Sequence, residues 1–178
     1  MQTYDSTTAA IFPCSRLKGE IVTWLNHYEF SLYVTLATNG ALTTNRQPQR
    51  YDTIARMTDR LRHWDAMINY DLLGKGWHRS PDRLFAFWFI EKIDTNPHWH
   101  GFIRFGEGDL AGSAEYRQIV HKFAERRWCK HVPAGTADVQ DVYGQTGVVD
   151  YVTKGLGTRC AFDAIVLPGQ FGGARLSS

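Results

Sequence analysis

Cysteine is scarce in this chain and carries no pattern. Cys14, Cys129 and Cys160 are odd in number and lack CxxC spacing, so free thiols in a reducing compartment are expected. No stretch approaches the roughly 18 uncharged apolar residues that a membrane helix needs. The opening MQTYDSTTAAIF has no basic start followed by a long apolar core, so no secretory signal is expected. The expected setting is cytoplasmic, or nuclear if the host is eukaryotic, with no membrane partner. Charge of one sign is also missing: the net charge is +2, which neither requires nor excludes nucleic acid. No internal repeat or low-complexity tract stands out.

What is abundant is apolar and aromatic material. The 178 residues are 43% hydrophobic and include 10 Phe, 8 Tyr and 6 Trp, enough for one well-packed domain. A single domain over 1–178 is therefore expected, with its core at about 30–156, an N-terminal helix at 15–27 and a Gly-rich tail at 167–178. Positive charge is clustered despite the small net value. Arg56, Arg60 and Arg62 lie in one helical stretch, Lys75, His78 and Arg79 in a loop, and Lys122, Arg126, Arg127, Lys130 and His131 in another stretch. Ordinary solvated faces account for such clusters as well as a nucleic-acid groove does.

Periodicity orders the elements. SRLKGEIVTWLNH (15–27) places Leu17, Ile21, Val22 and Leu25 at amphipathic helical spacing, and FSLYVTLATN (30–39) reads as a strand ending at Asn39-Gly40. A helix follows, with Ile54, Met57, Leu61, Trp64 and Ile68 on one stripe and Gly74 as its stop. RLFAFWFIEKID (83–94) is a near-continuous apolar run, expected of a central strand covered on both faces. It turns through Thr95-Asn96-Pro97 into HWHGFIRF, a β-hairpin. The rest reads as a helix from Ser113, a short strand at 137–143, a helix at 146–155 ended by Gly155, and one further strand near the end. An α+β fold is expected: an antiparallel central sheet with helices packed on one face, of the split βαβ (RRM- or ferredoxin-like) type.

Within HWHGFIRF, strand parity puts His98, His100, Phe102 and Arg104 on one face and Trp99, Gly101, Ile103 and Phe105 on the other. The second set is the core face, on which Gly101 is the exception among large residues. If Glu91 pairs with His98 across the hairpin, Phe89 pairs with His100 and Glu91 shares the histidine face. Glu91, His98 and His100 can then converge on a metal ion. Two imidazoles and one carboxylate leave coordination positions free, as a working site requires, and do not choose among Mg²⁺, Mn²⁺, Zn²⁺ and Fe²⁺.

VVDYVTKGLG (148–157) is the second unusual stretch. Tyr151 and Lys154 are three apart and project from one face of a helix. A Tyr hydroxyl, with a pKa near 10, becomes a competent nucleophile where its target is polarised and a cation offsets the developing charge. A surface Tyr and Lys at a helix end is the plain alternative.

Together these residues resemble the HUH endonuclease superfamily, in particular rolling-circle replication initiators with a single catalytic Tyr. His98-Trp99-His100 matches that family's metal motif, Glu91 the third ligand on the preceding strand, Tyr151 and Lys154 the nucleophile motif, and YVTLATN (33–39), with Thr35 and Thr38, its first motif. The resemblance spans about residues 30–155 and implies a nickase for single-stranded DNA with Mn²⁺ or Mg²⁺ on Glu91, His98 and His100. Tyr151 attacks the phosphate, leaving a 5′-phosphotyrosine, and Lys154 positions it. The implied partners are a DNA origin or hairpin and a helicase and polymerase from the host or element, since no GxxxxGK[ST] loop is present. Only one Tyr occupies the motif; Tyr143 is the other candidate nearby. Contacts to DNA are expected from Thr35, Thr38, Trp77, His78, Arg79, Lys122 and Arg126.

Three rival readings have their own marks. A tyrosine transposase of the same superfamily uses the same parts. A non-haem oxygenase or cupin-like enzyme uses two His and a carboxylate but has no use for Tyr151 and Lys154. An RRM-like binder wants aromatics, not imidazoles, on the open sheet face.

Overall fold

The alternation of period-two and helical patterns survives into three dimensions. The computed structural model describes residues 14–40, 50–105, 114–143 and 165–171, with side chains from residue 19 in the first helix and from 53 in the second. In chain order the elements are α1 (Cys14–Leu25), β1 (Leu32–Ala37), α2 (Arg50–Leu73), a 3-10 turn (Gly74–Arg79), β2 (Phe85–Glu91), β3 (His98–Arg104), α3 (Ala114–Cys129), β4 (Thr136–Asp141) and β5 (Ile165–Val166). The strands form one sheet in the order β4-β1-β3-β2-β5, and every neighbouring pair is antiparallel. The path β1-α2-β2-β3-α3-β4 through the order 4-1-3-2 is the split βαβ arrangement, with β5 added at the β2 edge.

The main core lies on one side of the sheet. Leu32, Val34 and Leu36 of β1, Trp88 of β2, and Trp99 and Ile103 of β3 meet Met57, Leu61, Trp64 and Ile68 of α2 and Val120, Ala124 and Trp128 of α3. A buried indole keeps its N–H only at the cost of a partner, and three here find backbone carbonyls. Trp64 donates to Ala124 at 2.9 Å, Trp99 to Met57 at 3.0 Å and Trp128 to Ala37 at 2.7 Å. These bonds fix each helix against the sheet in a set register. Gly101, the small residue on this face, sits directly across from Trp88. A Cβ there would fall 2.3 Å from the Trp88 ring, so the indole occupies the space a side chain would need.

The expectation of helices on one face alone is corrected. The helix α1 packs on the opposite face, where Leu25, with Ile21 and Val22 beside it, closes over Phe30, Phe87, Phe89 and Phe102. Trp24 stands edge-on to Phe87 at 4.8 Å between centroids. The reason lies in the FAFWF run of β2: its outward Phe side chains each gain about 2 kcal/mol or more by burial, and α1 supplies the cover. The central strand is likewise β3 rather than β2, although β2 is buried on both faces as expected. None of the described helices is long and apolar enough to cross a membrane. Cys129 is a free thiol whose Sγ–H donates to the Gly135 carbonyl at 3.3 Å, and burial raises its pKa.

Candidate metal centre

Among the described residues, α1 covers one end of its face of the sheet. At the other end, three side chains converge. Glu91 is the last residue of β2 and His98 the first of β3, and they pair directly, with Phe89 opposite His100. This is the register read from the sequence. Lys92 adopts a left-handed φ of 49°, turning the chain out of β2 immediately after Glu91. The amides of Thr95 and Asn96 then close on the Lys92 carbonyl at 3.0 and 3.1 Å.

Glu91 Oε2 lies 3.5 Å from His100 Nε2 and 3.7 Å from His98 Nε2. One ligand atom from each residue falls within 4.8 Å of the others, and among the described residues no other cluster of His, Cys, Asp and Glu does so. The separations exceed the roughly 2.7–3.2 Å of a hydrogen bond. They are a few tenths longer than the spacing of about 3–3.4 Å between neighbouring ligands on an ion bound at about 2.1 Å. His98 and His100 are 8% and 7% exposed, while the Glu91 side chain is 26% exposed and opens the group to solvent.

The donors are poised for a cation. The Nδ1 of His98 stands 2.8 Å from the Asn96 carbonyl, which can only accept, so Nδ1 carries a proton and Nε2 is the nitrogen turned toward Glu91. Asn96 is itself tied down: its Oδ1 accepts from the Thr38 hydroxyl and the Gly40 amide, both at 3.2 Å. At His100, Nδ1 meets the Tyr33 hydroxyl at 2.6 Å and the Thr35 hydroxyl at 3.1 Å. The Tyr33 ring lies nearly parallel to the imidazole, 9° between planes. His100 first, and then His98, favour the charged Glu91 carboxylate and hold its pKa down at about 2 against the opposing effect of burial. A fixed carboxylate, one imidazole with its Nε2 turned inward and a second held by two hydroxyls form a group that can bind a metal ion.

Comparison of the chain with family models, curated proteins and solved structures finds no match. The site must therefore be judged on its geometry.

The other residues singled out in the sequence fall in different places. Tyr151 and Lys154 lie outside the described residues. Thr35 belongs to the metal centre through His100. Thr38 is wholly buried, its hydroxyl committed to Asn96, so it braces the site from within and presents nothing to a ligand. Trp77, His78 and Arg79 form the 3-10 turn that leads to the start of β2, at the far end of the sheet from Glu91. Lys122 and Arg126 are exposed on α3, whose buried residues pack on the opposite side of the sheet. Their charges gather instead on Phe123, at 5.1 and 4.7 Å from its ring centre. The single groove expected from these basic residues is thus split among separate surfaces, because α3 spends its apolar stripe on the main core. Tyr143 is 94% exposed beyond the end of β4 that lies away from the hairpin.

Two residues of the site escaped the sequence reading. Tyr33 shares the histidine face by parity, as Thr35 does, but only the β1–β3 pairing makes that visible. Asn96 sits two before His98 in an Asn-Pro turn, which is the one local signal it carries.

Proposed function

We propose that this protein is a metal-dependent endonuclease for single-stranded DNA that transfers the cut strand to Tyr151. The observation that carries the reading is the convergence of Glu91 Oε2 with the Nε2 atoms of His98 and His100 at 3.5–3.7 Å, in a chain that also carries Tyr151 and Lys154 three residues apart in sequence. Glu91, His98 and His100 would hold Mn²⁺ or Mg²⁺. When bound, the ion supplies Lewis-acid polarisation and orientation of a phosphodiester.

The chain's own residues do the rest. Tyr151 Oη attacks phosphorus, the bond to the departing 3′ oxygen breaks, and a 5′-phosphotyrosine and a free 3′-hydroxyl result. Lys154 brings positive charge beside the phenol, which favours the phenolate and steadies the phosphate. Asn96, Tyr33 and Thr35 keep the imidazoles aimed, so that the ligand set costs no reordering when DNA arrives. With one Tyr in the motif, rejoining falls to reversal of the same step or to a second protomer. Unwinding and synthesis fall to a separate helicase and polymerase, and initiation of rolling-circle replication is the setting that fits these parts; strand transposition uses the same chemistry.

Two His and a carboxylate also serve non-haem iron oxygenases. Cupins, however, build that set inside a double-sheet barrel, whereas these residues lie on the hairpin of one open sheet.

The test is incubation with single-stranded DNA hairpins and Mn²⁺, read on a denaturing gel. A slow-migrating covalent adduct is expected, lost with chelator and in Tyr151→Phe. An adduct that persists in Tyr151→Phe removes Tyr151 as the nucleophile. Failure to cut any hairpin drawn from the parent element removes the nuclease reading.

A further inference from the structure

Two further imidazoles meet on the side of the sheet that α2 and α3 cover, one on α2 and one just beyond the end of α3. The rings of His63 and His131 lie 4.9 Å apart between centroids, with 34° between their planes. His63 is pinned by its own helix: its Nδ1 stands 2.8 Å from the Asp59 carbonyl, which can only accept, so that nitrogen carries a proton. The Asp59 carboxylate is shared, lying 3.6 Å from His63 Nδ1 and 3.6 Å from Arg62. His131 is half-buried. The charged and titratable groups that act on it are His63, Asp59 and Arg60 of α2 and Lys130 beside it.

His131 opens a turn whose bonds lead to the metal centre. Its amide and that of Val132 both donate to the Trp128 carbonyl at 3.0 Å, and the Gly135 amide closes on the Val132 carbonyl at 2.7 Å. A Cβ on Gly135 would fall 2.6 Å from Trp128 Nε1 and 2.8 Å from the Ala37 oxygen, so the turn presses directly on Trp128 and on the end of β1. Asn39, with a left-handed φ of 51°, donates from its side chain to the Ala134 carbonyl at 3.0 Å and the Thr136 hydroxyl at 3.2 Å. The next residue, Gly40, donates its amide to Asn96 Oδ1 at 3.2 Å. The Asn96 carbonyl in turn accepts from His98 Nδ1 at 2.8 Å. A run of short hydrogen bonds thus joins the turn that His131 opens to His98.

A proton on His131 is poorly received. Burial holds its pKa below the ordinary 6.5, and His63, Arg60 and Lys130 act in the same direction against Asp59. The folded state therefore binds this proton less tightly than the unfolded chain does. What the contact adds to stability is complete above the ordinary value and is lost as pH falls through the lowered one. We infer that the His63–His131 pair is a proton-operated catch: charging both rings drives them apart, frees the turn at 131–136 and slackens the bonds that aim His98. The consequence for metal binding rests on Glu91, His98 and His100 being the ligands; the movement of the turn and of Asn96 does not.

The experiment is amide hydrogen exchange on the full chain, in chelator and without DNA, read by NMR between about pH 7.5 and about pH 5.5. Rates are taken relative to those of an unstructured chain at each pH. The Gly135 amide reports the turn, and the Gly40 amide reports the grip on Asn96. In the parent chain both should lose protection as pH falls. In His131→Phe, which keeps a ring beside His63 and takes no proton, both should retain it. His63→Phe, at an exposed site, should reduce the loss, because one of the two charges is gone. Circular dichroism checks that each variant folds. A loss of protection as large in both variants as in the parent overturns the proposal and traces the effect to other groups, the histidines of the metal centre among them. Loss at Gly135 alone overturns it too, since the turn then moves without reaching Asn96, as does a parent chain that keeps its protection throughout. No outcome depends on whether the chain binds metal or cuts DNA.

Discussion

The Nδ1–H of His98 is donated to the backbone carbonyl of Asn96 at 2.8 Å, and this one bond decides which nitrogen faces Glu91. The chain closes a short turn on His98, so Nε2 is aimed at Glu91 before any cation arrives. His98→Ala and Glu91→Gln should each reduce Mn²⁺ affinity by more than the roughly 10- to 100-fold that loss of an outer partner costs, read by calorimetry. In the parent chain, metal at about 100 times its Kd should add about 2.7 kcal/mol to stability, and both variants should lose that gain. A melting temperature indifferent to Mn²⁺, Mg²⁺ and Zn²⁺ at millimolar levels would falsify the metal centre.

His100 is held by two hydroxyls, at 2.6 Å from Tyr33 and 3.1 Å from Thr35. Tyr33→Phe leaves Thr35 in place and should lower metal affinity only a fewfold. Tyr33→Phe combined with Thr35→Val should lower it by about 10- to 100-fold. Additive, equally small effects would show that the ring is oriented by packing alone.

Gly101 faces Trp88 with no room for a methyl group, a Cβ there lying 2.3 Å from the indole. The indole cannot retreat, since it is 1% exposed and stands edge-on to Trp64. Gly101→Ala should therefore destabilise the fold by about 3 kcal/mol through overpacking, measured by urea denaturation. A loss below about 0.5 kcal/mol would mean that Trp88 has another place to go.

Asp65 is buried on α2, and burial raises its pKa to about 7 against the opposing effects of Asn69 and Arg83. The folded state thus binds this proton more tightly than the unfolded chain, whose value is near 3.8. Its contribution to stability is complete below about pH 4 and is lost as pH rises through 7, on the order of 4 kcal/mol in all. Asp65→Asn keeps an acceptor and carries no charge. Urea unfolding from pH 5 to pH 8 should fall more steeply with pH for the parent than for Asp65→Asn; parallel curves would remove Asp65 as the cause.

Much of the site was legible because it is local. Alternation along β2 and β3 places Glu91, His98 and His100 on one face, and a short turn leaves few registers, so the pairing of Glu91 with His98 followed from a hairpin alone. The stripe from Ile54 to Ile68 likewise marked α2 and its buried side. Neighbours in sequence carry such patterns because the period of the backbone decides which side chains share a face.

The remainder was decided by competition among faces for burial, which no short window records. The covering of Phe87 and Phe102 by α1, the approach of Tyr33 and Thr35 to His100 from 67 and 65 residues away, and the placing of Lys122 and Arg126 behind the sheet all follow from which apolar surfaces found each other. Sequence alone determined which residues form the group that can bind a metal ion, since a hairpin is set by adjacent residues. Tertiary structure alone decided what aims those side chains, since long-range pairing is set by the burial of the whole core.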